Sequence, residues 1–243
     1  MKNILSILNR RKIYSPVNAY NIWADTYDKE KDNLMLFYDN IILSKLTSQI
    51  ELKGKVILDY GCGTGRNWSL FLKNEPDEII GSDISSKMLE ILKSKYESAK
   101  IYLIKNYKLP FLKNNQCDII VSTLVIAHIK NNENLFAEWN RVLKKESDII
   151  ITDFHPTLLA KGGVRTFKHK NKSIAIENNI HTISEIEEQL SPYGFKTVSL
   201  IEKYIDEEVK HFYIKNNALN VYEKFKGTPF IYGILLSRRH AIK

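Results

Sequence analysis

The chain reads as an α/β domain on a mostly parallel sheet covered by helices on both faces, and three observations carry that reading. Apolar segments of strand length alternate with segments of helix length from residue 55 to residue 154. The first apolar run, Val56-Ile57-Leu58-Asp59, ends in a carboxylate and enters a turn with glycines at alternate positions, Gly61, Gly63 and Gly65. The second, Ile79-Ile80-Gly81-Ser82-Asp83, ends in another carboxylate. An acid about 20 residues beyond a glycine turn is where nucleoside-binding βαβ units accept ribose hydroxyls.

In chain order, residues 17–48 carry two helical stretches. Tyr20, Trp23, Ala24 and Tyr27 recur at three- and four-residue steps in the first, and Leu34, Phe37, Ile41 and Ile42 share a face of the second. Strands are expected over 55–60, 78–82, 100–104, 117–122 and 148–154, with helices over 66–73, 86–95 (capped by Ser85 or Ser86) and 132–144. The alternation breaks from Pro156 to His181 into a polar, glycine-containing insertion. A helix over Ser184–Ser191 capped by Ser184, a strand over 195–202, a helix over 207–225 and a strand over 230–236 complete the pattern. Residues 1–50 are expected to form a helical lid and residues 51–243 the ligand-binding domain, with a substrate-side insertion at about 156–182.

With 243 residues the chain fits one such domain and its lid. No apolar run approaches the roughly 20 residues that span a bilayer, and Met1–Arg11 reads as a frayed or amphipathic arm. Cys62 and Cys117 suit buried thiols better than a disulfide framework, so a reducing cytoplasm is expected. No spacing of Cys, His or carboxylates makes a metal cluster. The net charge of +8 is spread along the chain without an aromatic-interleaved basic stripe, which favours a solvated surface over a nucleic-acid interface.

A dinucleotide turn would space its glycines G-x-G-x-x-G. Here Asp59-Tyr60-Gly61-Cys62-Gly63-Thr64-Gly65 resembles the first motif of class I S-adenosylmethionine-dependent methyltransferases, and Gly81-Ser82-Asp83-Ile84-Ser85-Ser86-Lys87-Met88-Leu89 resembles their second. Leu109-Pro110-Phe111 with Cys117–Ser122 is similar to the approach to their fourth strand. Glu138-Trp139-Asn140-Arg141-Val142-Leu143-Lys144 is similar to the helix before the fifth, with Lys145-Glu146-Ser147 replacing the usual Pro-Gly-Gly turn. The resemblance implies a Rossmann-like, seven-stranded sheet whose last strand is antiparallel, S-adenosylmethionine as cofactor and S-adenosylhomocysteine as product. The cofactor-binding residues it implies are Asp59, Gly61, Gly63, Gly65, Asp83, Ile84 and Met88, joined by Asn106, Tyr107, Ser122 and His128. Tyr20, Trp23 and Tyr27 resemble a Y-x-x-W-A-x-x-Y-D helix that folds over the pocket of small-molecule methyltransferases.

Methyl transfer from a sulfonium requires chiefly an aligned nucleophile and a dry pocket, with a base only where the nucleophile arrives protonated. His155, at the end of the fifth strand, is the first candidate for that base or for substrate orientation, and His181, closing the insertion, is the second. Each can equally be a capping or structural histidine. Arg165 and Phe167 are candidates to anchor an anionic or aromatic substrate. The function expected is methylation of O, N or C on a small molecule by a monomer or homodimer. The alternatives are an RNA- or protein-methylating relative and a non-catalytic cofactor-binding partner subunit. Against RNA, Ser122-Thr123-Leu124-Val125 stands where an Asn/Asp-Pro-Pro-Tyr/Phe motif would lie.

Overall fold

A computed structural model describes residues 12–239 apart from Lys31 and Asn171; the arm expected over Met1–Arg11 lies outside the described residues. In chain order the elements are β1 (Ile13–Tyr14), α1 (Pro16–Tyr27), α2 (Leu34–Thr47), β2 (Val56–Tyr60), α3 (Trp68–Leu72), β3 (Glu78–Asp83), α4 (Ser86–Lys95), β4 (Lys100–Leu103), β5 (Cys117–Thr123) and α5 (Glu133–Val142). They continue with β6 (Leu143–Phe154), α6 (Pro156–Ala160), β7 (Thr166–His169), β8 (Lys172–Ile176), α7 (Ile183–Leu190), β9 (Lys196–Tyr204), α8 (Lys210–Lys215), α9 (Leu219–Phe225) and β10 (Pro229–Arg238).

Seven strands form the main sheet in the order β4-β3-β2-β5-β6-β10-β9. The strands from β4 to β6 pair in parallel, and β10 runs antiparallel to both neighbours. This is the seven-stranded, mostly parallel sheet that the sequence predicts. Because both faces are covered, the central strands are apolar throughout rather than alternating. Successive residues feed opposite layers. Ile57 and Ile150 pack with α2 and α4, while Leu58, Ile149 and Ile151 pack with α5 and α7.

Helix α2 is part of this covering layer. Asn33 caps it by accepting from the amides of Met35 and Leu36 at 3.1 and 3.2 Å. Ile42 and Leu46 lie over Gly233 of β10 so closely that a Cβ there would overlap the Ile42 Cγ2 methyl. Fully buried Asp39 accepts from Thr152 of β6 and pairs with Arg66 beside the glycine turn. The lid expected over residues 1–50 therefore divides, with β1 and α1 standing over the sheet's carboxyl edge and α2 packed on the sheet itself.

The insertion holds more structure than its composition suggests. Strands β7 and β8 form a hairpin, and β1 adds to it in parallel through Ile13–Ala175 and Tyr14–Ile176. Phe167, Ile174 and Ile176 are buried, and Phe167 stacks on Trp23 of α1 with centroids 4.5 Å apart. Three other boundaries differ. With Lys145-Glu146-Ser147 in place of a Pro-Gly-Gly turn nothing forces a break, and the chain passes from α5 straight into the twelve-residue β6, with a register shift beside Cys117. The helix expected over 207–225 is interrupted between α8 and α9, where Asn217 adopts φ 53°, a left-handed conformation that asparagine tolerates. Thr182, rather than Ser184, caps α7 through a reciprocal capping box with Glu185.

Overpacking of a filled interior costs about 1–3 kcal/mol. Gly233→Ala should accordingly lower Tm by roughly 2–12 °C in a chain of this length, read by thermal denaturation. An unchanged Tm would mean that α2 does not pack on β10 as described.

Candidate functional site

A cavity of about 380 Å³ lies at the carboxyl ends of β2, β3 and β5, the position at which open α/β sheets bind ligands. Its floor is the glycine turn. Gly61 has φ 77° and donates to the Ser82 carbonyl at 2.7 Å. A Cβ there would overlap Val125, so only glycine fits. Gly63, at φ 53°, has open space where a Cβ would stand and donates its amide to Asp83 Oδ2 at 2.8 Å. Asp83 Oδ1 accepts from Ser85 N at 2.8 Å. Burial raises the Asp83 carboxyl to about 6, and the Ser85 and Gly63 amides hold it from rising further. Asp59 lies beneath the turn: Oδ2 accepts from the Trp68 indole at 2.8 Å, Oδ1 has no partner among the described residues, and burial raises the group to about 7.

The opposite wall belongs to α1 and the insertion. His128 donates from Nδ1 to the Glu177 carbonyl at 2.9 Å, which assigns the proton to that nitrogen. Its Nε2 accepts from the Tyr20 hydroxyl at 3.0 Å and from Arg165 Nη1 at 2.8 Å. Burial, and then the Arg165 charge, depress the imidazole to about 3, so it is neutral at physiological pH. Burial pushes the Tyr20 hydroxyl far up, which keeps it a donor. Arg165 Nη1 also donates to the Leu124 carbonyl at 2.7 Å. Leu124 presents that carbonyl from φ 62°, an uncommon conformation for a branched side chain. Around the rim, Asn21 accepts from the Ser85 hydroxyl at 2.7 Å. Asp28 joins Thr64 Oγ1 at 2.6 Å to Lys95 Nζ at 2.9 Å.

Of the residues predicted for the site, Gly61, Gly63, Asp83, Ile84 and Met88 line the cavity, as do Asn106, Tyr107 and His128. So do Tyr20, Tyr27 and Arg165. Gly65 packs over Leu92, and the Ser122 side chain is buried within β5; neither reaches the wall. Trp23 and Phe167 stack behind it and fasten α1 to the hairpin. The two histidines expected as bases are elsewhere. His155 turns away with α6: its Nδ1 accepts from Thr157 N at 3.1 Å as the helix cap, and its Nε2 meets Glu202 of β9 at 2.7 Å. His181 donates to the Ile129 carbonyl at 2.7 Å. The cavity takes in Leu124, Val125, Asn131 and Asn134, which the sequence reading passes over. The asparagines flank the start of α5 and are visible as a cap cluster, whereas nothing in the composition marks a leucine for positive φ.

Residues 58–151 match the methyltransferase domain family. The chain is 28% identical over 173 residues to an uncharacterized protein of Haemophilus influenzae, covering 68% of this chain and 66% of that protein. It is 29% identical over 108 residues to the demethylmenaquinone methyltransferase of Thermotoga maritima, covering 44% and 47%. It thus spans about two thirds of the first relative's length and under half of the second's. The crystal structure of an S-adenosylmethionine dependent methyltransferase from Mesorhizobium loti shares the fold, with a TM-score of 0.61 at 16% identity over 80% of this chain and 96% of that one. Residues 58–151 thus match a methyltransferase domain, set in a fold shared with S-adenosylmethionine dependent methyltransferases.

Proposed function

We propose that the protein transfers a methyl group from S-adenosylmethionine to O, N or C of a small-molecule acceptor held between the glycine turn and the cap formed by α1 and the hairpin. The observation that carries this reading is that one cavity has both walls: Asp83, Gly61 and Gly63 on one side, Tyr20, Tyr27 and Arg165 on the other. Its volume of about 380 Å³ lies in the range of small-molecule sites. The Thermotoga maritima relative is named for demethylmenaquinone, a small molecule, which agrees with this acceptor class.

In this reading ionised Asp83 accepts the ribose hydroxyls while its two amide donors fix its orientation. Ile84 and Met88 flank the base, and Gly61 and Gly63 let the methionine portion lie against the backbone. The bound cofactor supplies a methyl already made electrophilic by its sulfonium. The chain's part is to align the acceptor and exclude water, which can contribute roughly 7–11 kcal/mol. His128 takes no proton, because Nδ1 carries one and Nε2 is engaged by two donors. Proximity and desolvation by the cap therefore carry the catalysis.

Two outcomes test the cofactor assignment by calorimetry with S-adenosylhomocysteine. Losing a charged hydrogen-bonding partner is worth about 1.5–3 kcal/mol, so Asp83→Asn should weaken binding at least about tenfold; unchanged affinity would refute the ribose role. Wild-type affinity should also be full well above pH 6 and decline as pH falls through about 6, where Asp83 takes up its proton. The Asp83→Asn variant should lack that pH dependence, and a wild-type profile flat to pH 5 would contradict the assignment.

A further inference from the structure

The residue that ends α1 is an acid whose place in its own helix is unfavourable. Asp28 is the C-cap of α1, and a negative charge at that end opposes the helix dipole. Its partners lie outside its helix. Oδ1 accepts from Thr64 Oγ1 at 2.6 Å, and Oδ2 pairs with Lys95 Nζ of α4 at 2.9 Å. The ion pair is partly exposed, and such pairs contribute little. Thr64 is fully buried between Gly63 and Gly65, and a buried hydroxyl left without a partner is penalised. The contact to Thr64 therefore carries the larger share. None of the three residues lines the cavity.

These contacts complete a ring that includes the glycine turn. Toward β3, the Gly61 and Cys62 amides donate to the Ser82 carbonyl at 2.7 and 3.0 Å, and the Gly63 amide donates to Asp83 Oδ2. Asp83 also accepts from the amide of Ser85, the cap of α4. Helix α4 reaches Asp28 through Lys95, and Asp28 returns to the turn at Thr64. Gly61, Gly63 and Gly65 all hold positive φ, so this backbone deforms easily unless it is tethered.

We propose that Asp28 is a positioning residue for the cofactor, an inference that rests on the proposed methyltransferase function. From the cap, and without touching the ligand, it holds the glycine turn in the shape that receives the methionine portion of S-adenosylmethionine. Because Asp28 belongs to α1, cofactor affinity depends on the cap as well as on the turn.

The test is calorimetry on the full chain and its Asp28→Ala, Thr64→Val, Thr64→Ser and combined Asp28→Ala/Thr64→Val variants. The ligands are S-adenosylhomocysteine and 5′-methylthioadenosine, which keeps the adenosine thioether but lacks the amino-acid portion. Asp28→Ala and Thr64→Val should each weaken S-adenosylhomocysteine at least about fivefold. The combined variant should lie within about twofold of the weaker single one, since both remove the same contact. Thr64→Ser keeps the hydroxyl and should stay within about twofold of wild type, as should 5′-methylthioadenosine binding in every variant. Unchanged S-adenosylhomocysteine affinity in either single variant overturns the proposal, and so do losses that multiply in the combined one. A Thr64→Ser variant as weak as Thr64→Val overturns it too, because the hydroxyl is then not the cause. So does an equal loss of both nucleosides, which marks a general loosening of the cavity. A wild type that binds neither nucleoside overturns the methyltransferase reading itself, a result that none of the other outcomes produces.

Discussion

Four segments far apart in sequence meet on one imidazole, and the shape of the cavity depends on that junction. His128 follows β5, Tyr20 comes from α1, Arg165 from the loop before β7, and the Glu177 carbonyl from the chain just after β8. In a buried setting an unmatched ring nitrogen is penalised more than a matched one is rewarded. The imidazole matches both nitrogens only as the neutral Nδ1–H tautomer, with one donor outward and one lone pair shared. The same junction fixes Tyr20 as a donor and orients Arg165, so the protonation of one ring sets the polarity of the whole cap-side wall.

The cap is built onto the loops that carry Asp83 and the glycine turn. Asn21 meets Ser85, which caps α4 immediately after Asp83. Asp28 meets Thr64 within the glycine turn. Below, Asp39 of α2 links Arg66, just past that turn, to Thr152 of β6. The glycine turn is thereby tied to the C-terminal end of α1 through Asp28, and the middle of α1 is tied through Asn21 to the residue two after Asp83. The β1–β8 pairing and the Trp23–Phe167 stack carry the same coupling into the hairpin.

Much of this was legible in the sequence because it follows from local rules. The alternation of apolar runs and helical segments, the acids at Asp59 and Asp83, the glycine spacing and the Ser85 cap each obey short-range constraints, and the core of the domain appears where they place it. What remained hidden depends on contacts between distant segments. The β7–β8 hairpin is short and polar on one face, and its strands are stabilised by Trp23 of α1, more than 140 residues earlier in the sequence. Proximity to a strand end made His155 look like a site residue, but β10 on one side of β6 and the proline-initiated α6 carry it toward Glu202. Arg165 was recognisable as an anion candidate by type alone. Its burial and its half-satisfied guanidinium arise only once the insertion folds back over β5.

The most direct test of this account is the state of the His128 ring, read by long-range 1H–15N NMR of the imidazole nitrogens. The account predicts a neutral ring with its proton on Nδ1, unchanged between pH 8 and pH 5, since burial and Arg165 depress the group to about 3. A ring that titrates near its ordinary value of 6.5, or that carries its proton on Nε2, would contradict the junction on which the cavity is built.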